Sequence, residues 1–305
     1  MKINFLSKKE LLQKIDAYCE LSRTCFTAKV DETIIKQRYI DNPYTDLLMC
    51  IAEEENKIVA SYSVVPITVI VDGQQHKAAL SLNTMTHPEY EGRGLLTKLA
   101  SMLYEKMVEM GYSFVYGFPN NLSNGILCAK LGWKDVYEYP TLELIISQKN
   151  TMPLKQEKII NDWNSVDIIY GNKINIMKSE EYLNWRYNDN PINVYTLVRI
   201  DKKNWFIYHI YNTELNITEF HYDSSTDSIK KIIKKAIEIG YEYGVEKITT
   251  WAKINTIEHL AFEKYGFINK MPIRYFGVKK LAYDGNIDLF DYRNWSIFMG
   301  DDNVY

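Results

Sequence analysis

The stretch from Ser81 to Trp133 constrains this chain more than any other. Residues Ser81-Leu82-Asn83-Thr84-Met85-Thr86 have strand character and stop at His87-Pro88. Glu89-Tyr90-Glu91-Gly92-Arg93-Gly94 comes next, and from Leu95 apolar residues recur at helical spacing (Leu95, Leu96, Leu99, Met102, Leu103). Gly111 punctuates the end of that helix, and Phe114-Val115-Tyr116-Gly117-Phe118 reads as a short buried strand. A strand feeding a Gly-bearing turn at a helix start offers unpaired backbone N–H groups and the positive end of the helix dipole. Together these hold phosphate oxygens without any side chain. The pattern predicts an α/β unit that binds a ligand with a pyrophosphate. A Gly-x-Gly by itself describes a ligand-free tight turn equally well, so the downstream context decides.

Past the second strand come Pro119-Asn120-Asn121-Leu122-Ser123-Asn124 and a helix ending Ala129-Lys130-Leu131-Gly132-Trp133. This order resembles the acyl-CoA-dependent N-acyltransferases of the GNAT superfamily. Their signature runs Arg/Gln-x-x-Gly-x-Gly/Ala at the pyrophosphate turn, then an Asn after the next strand, then a Leu-Gly-Phe-like triplet. Gly94 stands as the central glycine of the turn, Asn121 as the Asn, and Leu131-Gly132-Trp133 as the triplet. The resemblance implies that coenzyme A is held by Met85, Thr86, Glu91, Gly92, Arg93, Gly94, Leu95, Leu96, Asn121, Ser123 and Asn124. It implies an acyl-CoA donor and direct attack by a neutral amine on the thioester within a ternary complex. Three residues depart from the pattern. Glu91 replaces Arg or Gln, which repels a diphosphate unless the carboxylate points outward and Arg93 compensates. Leu96 replaces a small residue. Cys128 stands where many members carry a Tyr general acid; it is either a small buried apolar residue, as free cysteines usually are, or a proton donor to the leaving thiolate. His87, Asn83 and Tyr116 lie near by strand logic, the first two as catalytic candidates and Tyr116 as a substrate contact. Of these only His87 titrates near neutrality.

The 305 residues, 46% of them hydrophobic, suffice for two cored domains. A net charge of −3 disfavours nucleic acid and anionic membranes as partners. Four scattered cysteines and five dispersed histidines indicate neither a disulfide scaffold nor a metal site. Ser7-Lys8-Lys9-Glu10 reads as a helix capping box in place of a signal peptide, and no apolar run is long enough to span a bilayer. A cytoplasmic location is expected.

The chain also repeats itself. Gln37-Arg38-Tyr39-Ile40-Asp41-Asn42-Pro43 is echoed by Trp185-Arg186-Tyr187-Asn188-Asp189-Asn190-Pro191, 148 positions on (186 − 38). Asn121 and Leu131-Gly132-Trp133 are echoed by Asn255 and Tyr265-Gly266-Phe267, 134 positions on (266 − 132). Two collinear echoes predict a duplication with about 14 residues lost between them (148 − 134). The predicted architecture is α/β with a mixed sheet, in two tandem GNAT-like modules: residues 1–150 binding acyl-CoA, and 151–305 degenerate and helping to form the acceptor site. In the second copy the strand Leu215–Tyr222 runs into Asp223-Ser224-Ser225, which caps a helix well and cradles a diphosphate poorly. Ser147–Thr151 on to Trp163 is the expected connection. His221 and Tyr222 are the expected acceptor contacts. Tandem modules of this kind resemble several groups, and abundant Tyr, Asn and Trp favour a nucleotide-linked amino sugar as the acceptor. A small amine or antibiotic acceptor, or a non-enzymatic acyl-CoA-binding module, is the alternative.

Overall fold

The structure, a computed structural model, describes residues 1–26, 30–146 and 154–302. The chain divides into two compact units, and neither is a simple half of the sequence. Unit 1 comprises Met1–Tyr137, Asn172–Met177 and Tyr275–Trp295; unit 2 comprises Glu138–Gly171, Lys178–Arg274 and Ser296–Tyr305. The first division between the units falls at 137/138, with later segments returning to unit 1. Ser147–Thr151, the start of the expected connection, lies outside the described residues.

Unit 1 begins with β1 (Lys2–Phe5), α1 (Lys8–Gln13), α2 (Ile15–Cys25) and α3 (Glu32–Tyr39). Ser7 and Glu10 form the capping box that starts α1. Three antiparallel strands come next: β2 (Leu48–Glu54), β3 (Lys57–Val71) and β4 (Gln74–Thr86). Their turns are two-residue links, Glu55-Asn56 and Asp72-Gly73, with all four residues at positive φ. That geometry matches the strand twist and makes tight hairpins. Then come α4 (Leu95–Glu109), β5 (Phe114–Gly117), α5 (Asn121–Leu131) and β6 (Lys134–Ile145), the last divided between the units at Tyr137. The apolar stripe of α4 (Leu95, Leu99, Leu103, Met107) is buried against Tyr62, Val64, Ala79 and Val115 of the sheet.

Short β7 (Ile174–Ile176) pairs with the far end of β3. Unit 2 contains α6 (Glu180–Leu183), β8 (Thr196–Arg199), β9 (Trp205–Tyr211), β10 (Glu214–His221), α7 (Thr226–Tyr243), β11 (Lys247–Trp251) and α8 (Ile257–Lys264). In it β8, β9 and β10 are antiparallel neighbours, β11 lies parallel to β10, and β6 pairs antiparallel with β11. Isoleucines 229, 232, 233 and 239 of α7 bury the sheet's apolar face. β12 (Ile268–Lys280) follows, and its Gly277–Lys280 stretch pairs with β5 in unit 1; β13 (Trp295–Ser296) pairs with β7. Within the described residues no helix is long and apolar enough to cross a membrane.

Both echoes have a structural counterpart. The Asn42 amide donates to the Arg38 carbonyl and accepts from the Tyr44 N–H; Asn190 does the same with Arg186 and Ile192. Each Asn ends a helical stretch by giving its backbone a side-chain partner. Gly132 and Gly266 both take left-handed φ (+68°, +90°) after their helices, followed by the buried Trp133 and Phe267.

Candidate functional site

The site is built where β4 and β5 part. These strands run parallel over only four rungs, from Ala78↔Phe114 to Ser81↔Gly117. β5 ends at Gly117, while β4 continues five residues to Thr86. On its other edge β4 carries a bulge: Ser61 pairs with Met85 and Ser63 with Leu82, so Asn83 and Thr84 both oppose Tyr62. Asn83 adopts φ +50° there. A bulge turns backbone groups out of the ladder and re-aims them. Met85 is buried and Thr86 half-buried at this end.

Beyond Thr86 a short 3₁₀ turn (Pro88–Tyr90) leads to Gly92-Arg93-Gly94 and α4. Gly92 and Gly94 take φ +73° and +72°, and the space where a Cβ would project is open at both. Gly94 is the N-cap of α4, so no side chain takes up the first-turn N–H groups of this 15-residue helix. Elsewhere Ser7, Asp31, Asn120, Ser179, Ser225 and Thr256 cap α1, α3, α5, α6, α7 and α8 with side-chain oxygens. An open glycine turn with free N–H donors at a helix start fits a diphosphate. The residues present therefore fit the acyl donor that the sequence implies.

Glu91 is exposed beside this turn. Arg93 folds back instead of reaching outward: its guanidinium lies 4.5 Å from the Tyr90 ring centre and donates to the Glu89 carbonyl (2.9 Å). Leu95 is buried and Leu96 half-buried. His87 caps the 3₁₀ turn, accepting from the Glu89 N–H through Nδ1 (3.3 Å), and packs edge-on against Tyr90.

At α5 the capping role belongs to Asn120, whose Oδ1 accepts from the N–H groups of Leu122 and Ser123. Asn121 is the first, exposed helical residue. A pair of adjacent asparagines leaves the cap ambiguous in sequence, and only backbone dihedrals resolve it. Ser123 donates back to Asn120, and Asn124 donates to Asp135 (3.2 Å). The Cys128 thiol sits 3.7 Å from Asn124 Oδ1 and from Asp135 Oδ1. Partial burial, and then the Asp135 carboxylate, push its ionisation above the ordinary thiol value. It is a neutral thiol at neutral pH.

Two expected contacts lie elsewhere. Tyr116 is fully buried among Phe118, Phe276 and Trp295, in the interior of unit 1 and not on a surface. His221 is 4% exposed; it stacks on Trp205 (4.2 Å) and its Nε2 lies 2.9 Å from Glu219 Oε1. Alternation along β10 turns it into a buried polar network, which removes it as a surface contact. Tyr222, half-buried, donates to Glu258 (2.7 Å).

The corresponding turn of unit 2 is closed. The Ser225 hydroxyl accepts from the Asp227 N–H, and Asp223 Oδ1 accepts from the Ser225 N–H. Ser224 takes φ +65° where unit 1 uses glycine. The same strand order and a bulge at the matching place, between Ile217 and Glu219 of β10, are nonetheless present.

Residues 11–135 match the family model described as an acetyltransferase (GNAT) domain. No curated protein matches the chain. Among solved structures, the fold is similar to a conserved protein of Enterococcus faecalis V583 described as a probable N-acyltransferase (TM-score 0.65, 13% identity, 92% of this chain and 73% of that one). It is similar to a GCN5-related N-acetyltransferase from Anabaena variabilis (TM-score 0.63, 13% identity, 92% and 73% covered). It is also similar to Saccharomyces cerevisiae N-myristoyltransferase (TM-score 0.63, 10% identity, 91% and 80% covered). At these identities the structures share the fold, and the family match rests on residues 11–135. That match covers less than half of the chain, and together with the shared fold it supports an acyl-CoA-dependent N-acyltransferase.

Proposed function

We propose that the protein acylates the primary amine of a nucleotide-linked amino sugar, with unit 1 holding the acyl-CoA. The observation that carries the donor site is the uncapped start of α4 at Gly92-Arg93-Gly94, next to the place where β4 and β5 part. Backbone N–H groups of Leu95 and Leu96 would hold the diphosphate, and the main chain at Met85 and Thr86 would align the pantetheine arm. Alignment of the amine with the thioester is the main catalytic resource, with effective molarities of ~10⁵ M or more available. A backbone N–H freed by the β4 bulge would polarise the thioester oxygen. His87, at the end of β4, would take the amine's proton. Unit 2 is read as a duplicated module that lost its phosphate turn, supported by the two echoes, the shared strand order and the matching bulge. The amino-sugar acceptor is supported by the near-neutral charge and the richness in Tyr, Asn and Trp. Thiol release from several acyl-CoAs, screened against nucleotide-linked amino sugars, amino acids and aminoglycosides, tests it. Turnover confined to the last two classes would overturn the acceptor and leave the donor site standing.

Glu91→Gln is expected to change CoA affinity less than about threefold, because an exposed carboxylate is screened by solvent and salt. A tenfold gain in calorimetry would place Glu91 against the diphosphate. Cys128→Ala is expected to keep at least about a tenth of wild-type turnover, since real general acid catalysis contributes ~10²–10⁴-fold. A hundredfold fall in kcat at unchanged KM, in a folded variant, would instead make the Cys128 thiol the proton donor.

A further inference from the structure

Beneath the parting strands lies a chain of buried hydrogen bonds whose direction is forced. Trp133 Nε1 donates to the Tyr104 hydroxyl (2.8 Å), Tyr104 and Tyr62 share a 2.6 Å bond, and Tyr62 and Ser81 share one of 3.0 Å. Indole N–H is a donor only. Having accepted from Trp133, the buried Tyr104 must give its own proton to Tyr62, because the reverse would leave that proton without an acceptor in the core. Tyr62 in turn donates to Ser81. The Ser81 oxygen is therefore an acceptor inward, and its own proton is directed away from the chain. Burial pushes Tyr62 up to about 12, so it keeps its proton across the physiological range.

Ser81 occupies the last β4–β5 rung, opposite Gly117. A Cβ on Gly117 would come within 3.2 Å of the Ser81 Cβ and carbonyl and 3.5 Å of the Trp133 ring. Ser81 and Trp133 thus approach β5 too closely for any side chain at this rung, and Ser81 itself stays half-buried at the point where the strands part. From Thr86 down to Ser81 the strand spans ~16 Å at about 3.3 Å per residue, the order of reach of an extended pantetheine arm.

We propose that Ser81, oriented by the Trp133–Tyr104–Tyr62 chain, donates a hydrogen bond to the sulfur of CoA at the point where β4 and β5 part. This rests on the reading that unit 1 holds acyl-CoA between those strands. As the amine nitrogen bonds to the acyl carbon, the C–S bond breaks and the sulfur keeps the electron pair. Ser81 retains its proton and stabilises the thiolate, and the amine's surplus proton passes to His87, the base of the proposed function. A hydroxyl donor here supplies what a missing tyrosine on α5 does not.

The test uses CoA and desulfo-CoA bound to the full chain. Thiolate absorbance of the CoA complex is followed against pH, and the desulfo-CoA complex is subtracted to remove the protein's own cysteines. Ser81→Ala is expected to lower the ionisation constant of the bound thiol about tenfold, with desulfo-CoA affinity unchanged within about twofold. Ser81→Thr should restore it. Equal thiol ionisation in wild type and Ser81→Ala, with CoA bound in both, overturns the role of Ser81. Failure of wild type to bind desulfo-CoA, or undiminished binding by Gly94→Trp, overturns the donor-site reading instead. Should Ser81→Ala not fold, Tyr62→Phe decides: at least a threefold decrease supports the chain, and no change overturns it.

Discussion

Gly94→Trp is expected to abolish CoA binding, a loss of at least about a hundredfold in affinity, while Ser225→Trp leaves affinity within about threefold. Gly94 holds φ +72°, where an L-residue is strained by ~1–2 kcal/mol. An indole there would also lie over the first turn of α4, whose N–H groups are the donors on offer. Ser225 occupies the matching helix start in unit 2, but its hydroxyl already serves the Asp227 N–H. Its replacement costs α7 a cap, typically about 1 kcal/mol, and removes no ligand contact. Titration calorimetry on both variants, with melting temperatures to confirm folding, settles the matter. Two CoA molecules per chain, or unimpaired binding by Gly94→Trp, would defeat the assignment.

Lys178→Met is expected to destabilise unit 2 by about 3–5 kcal/mol, the usual cost of breaking a buried ion pair on one side. The Lys178 ammonium is 2% exposed; it lies 3.1 Å from Glu219 Oε2 and pairs with Asp301, and both carboxylates are fully buried. Glu219 is also bonded by His221 and accepts from the Tyr187 hydroxyl. Removing the ammonium leaves two buried carboxylates with too few donors. Burial pushes the Glu219 carboxyl up, but Lys178 and the His221 and Tyr187 bonds outweigh it and hold it at about 2. Its folded value lies below the unfolded one, near 4.3. The stability it contributes is therefore present above about pH 4.5 and lost as pH falls towards about 2. Asp301, raised chiefly by burial, works in the opposite sense and softens the acid limb. Urea titration at pH 7 reads the main effect, and adding Glu219→Gln to Lys178→Met should recover at least about 1 kcal/mol. A single-variant loss below about 1 kcal/mol would show that the cluster is hydrated or replaceable.

The same cluster explains what happened to His221. The sequence marks it as a polar residue at a strand end, a fair place for a ligand contact. Its partners stand at positions 205 and 219, in a network extending to 178 and 301, and no local pattern connects them. Tyr116 went the same way, because a short apolar strand does not disclose which of its faces meets Trp295. Asn120 and Asn121 differ by one position, and choosing between them needs the dihedrals at the helix start.

What the sequence determined by itself are the local features. The Gly92-Arg93-Gly94 turn, the α4 stripe, the helix stops at Asn42, Asn190, Gly132 and Gly266, and the Asp223–Ser225 cap all follow from φ preference, hydrophobic period and short-range hydrogen bonding. Each involves residues within a few positions of one another, so a single chain segment carries the whole interaction. Tertiary structure alone decided where β4 and β5 part, which segments belong to which unit, and that Trp133, Tyr104, Tyr62 and Ser81 join in one directed chain. Those contacts link positions 19 to 42 residues apart. Their direction comes from the rule that a buried donor must find an acceptor, and that rule acts only once packing has excluded water.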